Sequence, residues 1–249
     1  MPPLSVVIIA RNEEDRIAEA IASVSFADEV VVLDSGSTDA TPALARSLGA
    51  KVVETDWPGH VAQKNRALSH AAHTWVLSID ADERVSPALA ASIQTLMARA
   101  PAADGYEMSR LSWWMGAPVR HGTWYPDRRV RLFRRDRAAW TGIDPHDIVA
   151  VEGAVERISG DIIHHPYRSL SDHLSTIDRY TARHVEVARQ RGVTAGWWDV
   201  VLRPPLHFVK AYLLKRGFLD GMRGWCIAGL GATYVLVKWT RLYLHREES

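Results

Sequence analysis

Residues 4–13 read LSVVIIARNE. Leu4–Ala10 is almost wholly apolar, without the polar alternation of a strand that has one wet face. Such a run marks a strand buried on both faces, as in a parallel sheet covered by helices. It stops abruptly at Arg11-Asn12-Glu13. The same unit then repeats along the chain. Glu13–Ser25 carries Ile17, Ile21 and Val24 at helical spacing, and EVVVLD at 29–34 reads as a second strand. Thr41–Leu48 predicts a helix, with Pro42 in its first turn and Gly49 just past its end. Lys51–Glu54 is a short third strand, His60–Ala71 a helix, and Thr74–Asp80 a fourth strand. Ser86–Ala100 is a helix with Ser86 as N-cap and Pro87 at its first position. This alternation predicts an α/β fold, a mostly parallel sheet with helices on both faces.

The bulk numbers bound the function classes. A chain of 249 residues, 47% hydrophobic and 24% charged, has ordinary globular composition and excludes disorder. Its net charge of +1 offers no general attraction to nucleic acid. The single cysteine, Cys226, makes an internal disulfide impossible, argues against a cysteine zinc site and fits a reducing compartment. No signal peptide is legible at the N-terminus. The longest uncharged apolar stretch, Gly224–Val237, is shorter than the roughly 20 residues a spanning helix needs. Beyond residue 105 the periodicity is mixed, with Gly105–Leu111 and Arg129–Arg134 as strand candidates. Ser169–Arg191 reads as a helix with a capping box at Ser169/Asp172, a stop at Gly192, and Leu170, Leu174, Ile177, Thr181, His184 and Ala188 on one face.

In an open parallel sheet, ligands bind beyond the carboxyl ends of the strands. The first strand ends in Ala10-Arg11-Asn12-Glu13, the second in Asp34-Ser35-Gly36-Ser37-Thr38-Asp39, and the fourth in Asp80-Ala81-Asp82-Glu83. Each alone is an ordinary solvated loop; three polar tips at corresponding places suggest one crevice. Neither a G-x-G-x-x-G nor a P-loop motif is present, so a glycine-rich loop is not what would hold phosphates. A divalent cation bridging carboxylate and diphosphate oxygens is the alternative, and hard oxygen ligands suit Mg²⁺ or Mn²⁺.

The segments SVVIIARNEE, VVLDSGSTDAT, QKNRAL and SIDADE, in this order, resemble the family 2 glycosyltransferases of the GT-A fold. YPDRRVRLFRR, IIHHPYRSLSDHL and GFLDGMRGW are similar to the bacterial subgroup that transfers glucose onto the lipopolysaccharide inner core. The resemblance implies a GT-A catalytic domain over residues 1–168, with a nucleotide-binding half at 1–100 and an acceptor half at 101–168. A C-terminal helical region at 169–249 is expected to follow, membrane-interfacial by its composition from Arg203 on. It also implies roles: Ala10, Arg11, Asn12 and Glu13 line a nucleoside pocket, Asp34 bonds the base, and Ser35, Gly36, Ser37 and Asp39 form the turn beside it. Lys64 lies near the nucleotide, Asp80 and Ala81 at the ribose, and Asp82 on the metal, with His164 close to the metal or diphosphate.

An inverting transfer needs a carboxylate to take the acceptor proton. By the resemblance, Asp147 in GIDPHDIV is the expected base, with Asp144 in reserve; relatives often carry His-Glu where this chain has His146-Asp147. Turn acids, solvated charges and packed histidines are the bland alternatives, and Lys64 taken alone is a solvated helix charge. Of the arginines between Arg120 and Arg137, one or two are expected to point inward and the rest to be surface. From Arg203 on, eight Lys and Arg against three acids, interleaved with aromatics, suggest either packed helices or an anionic lipid surface. A self-association surface would have the same composition. The functional expectation is a UDP-hexose donor, most simply UDP-glucose, and a lipopolysaccharide-core or other lipid-linked acceptor at the cytoplasmic membrane face. Transfer to polyprenyl phosphate, or a nucleotide-sugar-binding scaffold without chemistry, are the alternatives.

Overall fold

The computed structural model describes residues 2–143 and 146–247, leaving aside the side chains of Ile143, His146, Arg246 and Glu247. It groups the chain into two compact units: Met1–Arg110 with Asp127–His164, and Leu111–Pro126 with His165–Ser249. A break in contiguous sequence after residue 168 therefore differs from this grouping, which assigns Leu111–Pro126 to the C-terminal helices.

The first unit begins with β1 (Leu4–Ala10), α1 (Ile17–Ala22), β2 (Glu29–Asp34), α2 (Thr41–Ser47), β3 (Lys51–Glu54), α3 (His60–His70) and β4 (Trp75–Asp80). Next come β5 (Glu83–Val85), α4 (Pro87–Ala98) and β6 (Gly105–Trp114). The two-residue β7 (Ala117–Pro118) falls in the second unit, and β8 (Asp127–Arg134), β9 (Ala138–Ile143), β10 (His146–Val151) and β11 (Val155–His164) return to the first. The main sheet runs β3-β2-β1-β4-β8-β6-β11-β5. Its first four strands are parallel; β8 joins β4 antiparallel.

The order 3-2-1-4 places the reversal of winding between β1 and β4, where a crevice opens at the carboxyl ends. Alternation along β1 feeds both faces. Val6 and Ile8 meet Ile17, Ile21, Leu89 and Ile93 on one side. Val7 meets Val31, Leu33, Ala67, Leu68 and Trp140 on the other. Each such fully buried side chain contributes about 1.5–3 kcal/mol. Gly160, at φ +107, lets β11 lie against α4: a Cβ there would meet the Leu89 backbone at 2.6 Å.

Helix α1 starts four residues later than its periodicity predicts. The Glu13 and Glu14 amides donate to Thr41 Oγ1 and Asp39 Oδ2, so the chain forms turns there first. In the second unit, α5 (Leu170–Gln190) is capped by Ser169, which accepts from the Asp172 amide at 3.1 Å. Its buried stripe is His173, Ile177, Thr181 and Val185, while Leu170 and Leu174 are exposed, so the helix is rotated from the predicted face. The cause is His173, whose Nδ1 accepts from Trp114 Nε1 at 3.1 Å and whose ring stacks on Tyr167. The unit closes with α6 (Trp197–Val209), a π turn at Lys210–Leu214, a 3₁₀ turn at Gly217–Asp220 and α7 (Gly221–Glu247).

Candidate functional site

The parallel registers align Ala10 with Asp34 and Ile9 with Asp80, so the three polar tips leave the sheet side by side. The first two tips are laced together. Asn12, at φ 55, receives the Thr38 amide on Oδ1 at 2.8 Å, and its own amide donates to Ser37 Oγ at 2.8 Å. Asp34 is buried and closes its own turn: Oδ2 accepts the amides of Gly36 at 3.1 Å and Ser37 at 2.8 Å. Gly36 supplies the φ of +75 that this turn requires. Arg11 and Gly36 are exposed at the crevice rim, whereas Ala10, Ser35 and Ala81 are buried beneath it.

Three successive residues of α3 serve three different neighbours, because helix positions turn about 100° per residue. Gln63 Nε2 donates to Ser35 Oγ and Thr55 Oγ1, tying the β2 and β3 tips. Asn65 pairs with the Trp140 backbone at 2.8 and 2.9 Å, fixing β9. Lys64 points between them. Far from being solvated, it is buried, with Nζ 3.0 Å from Asp80 Oδ1, 2.8 Å from Asp147 Oδ2 and 4.4 Å from the Trp140 ring centroid.

The fourth tip sits in a charge network that local sequence did not reveal. Arg131, the inward arginine of β8, is buried, with Nη2 2.9 Å from Glu83 Oε1 and 3.3 Å from Asp80 Oδ2. Glu83 is fully buried; its other oxygen accepts the Asp80 amide at 3.0 Å, and Arg110 approaches at 3.4 Å. Burial acts to raise the Asp80 carboxyl, but Lys64 and Arg131 more than reverse it and hold the group well below the usual carboxylate range. Asp82 is separate: its Oδ2 lies 3.4 Å from His164 Nε2. There too burial raises and His164 lowers, and the net displacement is downward.

A cleft of about 300 Å³ opens beside these groups, lined by Lys64, Asp80, Arg110, Arg131, Trp140 and Asp147 among others. The structure thus brings Lys64, Asp80 and Asp147 into one cluster and Asp82 and His164 into another next to it. Asp144 lies outside the described residues, as does the His146 side chain. Sequence reasoning missed Arg110 and Trp140, left Glu83 without a role, and held Arg131 only as one of a run of arginines of which one or two were expected to point inward. The period-2 pattern of β8, which places Arg131 on the face of buried Phe133, was the available signal for Arg131.

Two carboxylates at a strand tip, backed by buried cations, form a surface suited to a charged, oxygen-rich ligand. Among the described residues no three His, Cys, Asp or Glu side chains could jointly hold a metal ion. A donor set of Asp82 with His164 fits an ion whose remaining ligands are phosphate oxygens and water, as Mg²⁺ sites with one or two carboxylates are built.

The sequence model of Glycosyl transferase family 2 matches residues 5–157. The chain is similar to the lipopolysaccharide core biosynthesis glycosyltransferase LpsC of Rhizobium meliloti (strain 1021), 27% identical over 248 residues, 97% of this chain and 92% of that one. An uncharacterized glycosyltransferase of Rickettsia typhi is 30% identical over 236 residues, 90% of this chain and 81% of that one. Among solved structures, glucosyl-3-phosphoglycerate synthase from Mycobacterium tuberculosis, in complex with Mn²⁺, UDP and glucosyl-3-phosphoglycerate, aligns at 29% identity and a TM-score of 0.38. That alignment covers 46% of this chain and 45% of the synthase.

Proposed function

The chain belongs to glycosyl transferase family 2, and from that premise we propose that it transfers a hexose, glucose foremost, from a UDP-sugar to a core sugar of lipopolysaccharide. The observation that carries this reading is the row of three strand tips, with Asp80 held between Lys64 and Arg131 and Asp82 facing His164. The near full-length similarity to LpsC supports the choice of acceptor.

In this reading Ala10–Glu13, Asp34, Ser35 and Gly36 receive the base and ribose, with Asp80 and Ala81 at the ribose. Asp82, with His164, holds Mg²⁺ or Mn²⁺. Such an ion, when bound, neutralises charge on the departing diphosphate as a Lewis acid. Lys64 holds Asp80 and Asp147 on one ammonium, which contacts both carboxylates. Arg131 fixes Asp80 from the other side, backed by Glu83. Asp147 takes the proton of the acceptor hydroxyl as that oxygen bonds to C1. The C1–O bond to the diphosphate breaks on the opposite face, which inverts the configuration. Because the acceptor is built on lipid, the enzyme works at the cytoplasmic face of the membrane. Among the described residues no helix is long and apolar enough to cross one, so attachment is peripheral in this reading.

The test is to incubate purified protein with UDP-glucose, Mn²⁺ and core-truncated lipopolysaccharide, and to weigh the product by mass spectrometry. A gain of one hexose is expected. A gain only with a different donor overturns the choice of glucose, and no gain with any nucleotide hexose overturns the acceptor.

A further inference from the structure

The second unit leaves an unusual face uncovered. Along α6 and the π turn, Trp198, Val201, Leu202, Leu206, Val209 and Leu213 recur at helical spacing, and all are exposed. Leu206 is 64% exposed, and the run continues through Leu214 at 73% and Met222 at 75%. Scattered surface leucines need no explanation, but a contiguous apolar face marks an interaction site. The face has a firm base. Phe208 and Tyr212 stack at 5.4 Å, and both meet Trp225 edge-on at 4.7 and 5.3 Å. Gly224 permits the 3₁₀ turn to lie on α7, since a Cβ there would overlap Gly217 O at 1.8 Å.

The charge on this face selects its partner. Lys210, Lys215, Arg216 and Arg223 are exposed within the apolar run, and none has a carboxylate partner among the described residues. Between residues 197 and 246 the only acids are Asp199 and Asp220. Both are committed: Asp199 to Gly196 N and Arg203, and Asp220 to the amides of Arg120 and His121. A second copy of the same face would bring unpaired cations against unpaired cations, which an isologous interface does not tolerate. Trp197, Trp198 and Trp225, all exposed, are the residue type that settles at the level of lipid headgroups. The face cannot span a bilayer. At 13 residues α6 is only about 20 Å long, and Pro204 and Pro205 interrupt its hydrogen bonding.

We propose that α6, the π turn, the 3₁₀ turn and the first turn of α7 form an in-plane docking surface for an anionic lipid bilayer. Leu206, Leu213, Leu214 and Met222 enter the acyl boundary, and the four cations meet the headgroups. The inference deepens the lipid-linked acceptor reading and, in choosing a bilayer over a protein partner, rests on it.

Sedimentation of the full-length protein with vesicles tests the surface without donor or acceptor, so its failure is separable from a failure of sugar transfer. Binding is expected to phosphatidylcholine vesicles containing phosphatidylglycerol and to weaken in high salt. Replacing Lys210, Lys215, Arg216 and Arg223 by Gln should weaken it by about 10²–10³-fold, at roughly fivefold per charge. Leu206→Gln, Leu213→Gln and Met222→Gln together should abolish it, with circular dichroism unchanged because all three side chains are exposed. Sedimentation that ignores phosphatidylglycerol, or survives the apolar triple variant, overturns the proposal. So does a dimer in analytical ultracentrifugation that the triple variant dissociates while vesicles go unbound.

Discussion

Glu83→Gln removes one charge from the fully buried centre of the Asp80–Arg131 network and changes almost nothing in volume. In the native protein Glu83 accepts from the Asp80 amide at 3.0 Å, from Arg131 at 2.9 Å and from Arg110 at 3.4 Å. Arg131 and Arg110 share Oε1 while the Asp80 amide takes Oε2, so the glutamine oxygen can serve the guanidiniums or the amide but not both. Its NH₂ then meets either the guanidiniums or the Asp80 amide, donor against donor. With the NH₂ turned toward Arg131, whose Nε and Nη1 already lack hydrogen-bond partners among the described residues, that guanidinium would keep only the 3.3 Å contact to Asp80 and the Trp140 ring 5.4 Å away. Breaking a buried pair from one side costs about 3–5 kcal/mol. The surviving Asp80 contact places this variant at the lower end, about 3 kcal/mol. With a urea m-value of about 2–3 kcal/mol/M, the midpoint should fall by about 1 M. A double-mutant cycle with Arg131→Met separates the pair from simple packing and should return a coupling of at least about 1 kcal/mol. A Glu83→Gln protein within about 0.5 kcal/mol of wild type, or a cycle with no coupling, would refute the argument that Glu83 anchors Arg131.

The other expectations concern Lys64, Asp147 and His173. Lys64→Met leaves the Asp80 and Asp147 carboxylates without their shared cation, so transfer should fall by about 10²–10³-fold with far-ultraviolet circular dichroism unchanged; near wild-type turnover removes Lys64 from the chemistry. Asp147→Asn should lower transfer by about 10²–10⁴-fold and spare UDP binding; normal transfer puts the base elsewhere. Burial pushes His173 down to about 4 from an ordinary 6.5, so its contribution to stability is complete above the ordinary value and is lost as the pH falls toward the folded one. At about pH 5 the loss should reach about 2 kcal/mol relative to neutral pH, read as the difference between wild type and His173→Asn in urea unfolding. A flat difference contradicts the burial argument.

The parallel half of the sheet was legible because β1, β2 and β4 are apolar at consecutive positions and end in polar tips, a pattern that local sequence carries in full. The antiparallel half was less so. Strands β9, β10 and β11 are partly wet, β11 carries Glu156, Arg157 and Asp161, and their pairing is set by distant partners such as Asn65 on the Trp140 backbone. Lys64 and Glu83 show the same limit at the site. Nothing near Lys64 in sequence announces the two carboxylates and the indole ring that bury it, and only a resemblance lifted it above a surface charge. Glu83 follows Asp80 and Asp82 as a third acid, with no partner legible nearby in sequence. Its role depends on Arg131, 48 positions away. The α5 face was misjudged for a related reason: the periodicity put His184 on the stripe rather than His173, whose partner Trp114 lies on another element.

UDP binding to the purified protein, followed by calorimetry with and without Mn²⁺, bears most directly on the claim that the β4 tip holds a nucleotide diphosphate through a divalent ion. The account predicts binding with Mn²⁺, its loss in EDTA, and its loss in Asp82→Ala at unchanged urea stability. Tight UDP binding by the Asp82→Ala protein in EDTA would contradict it.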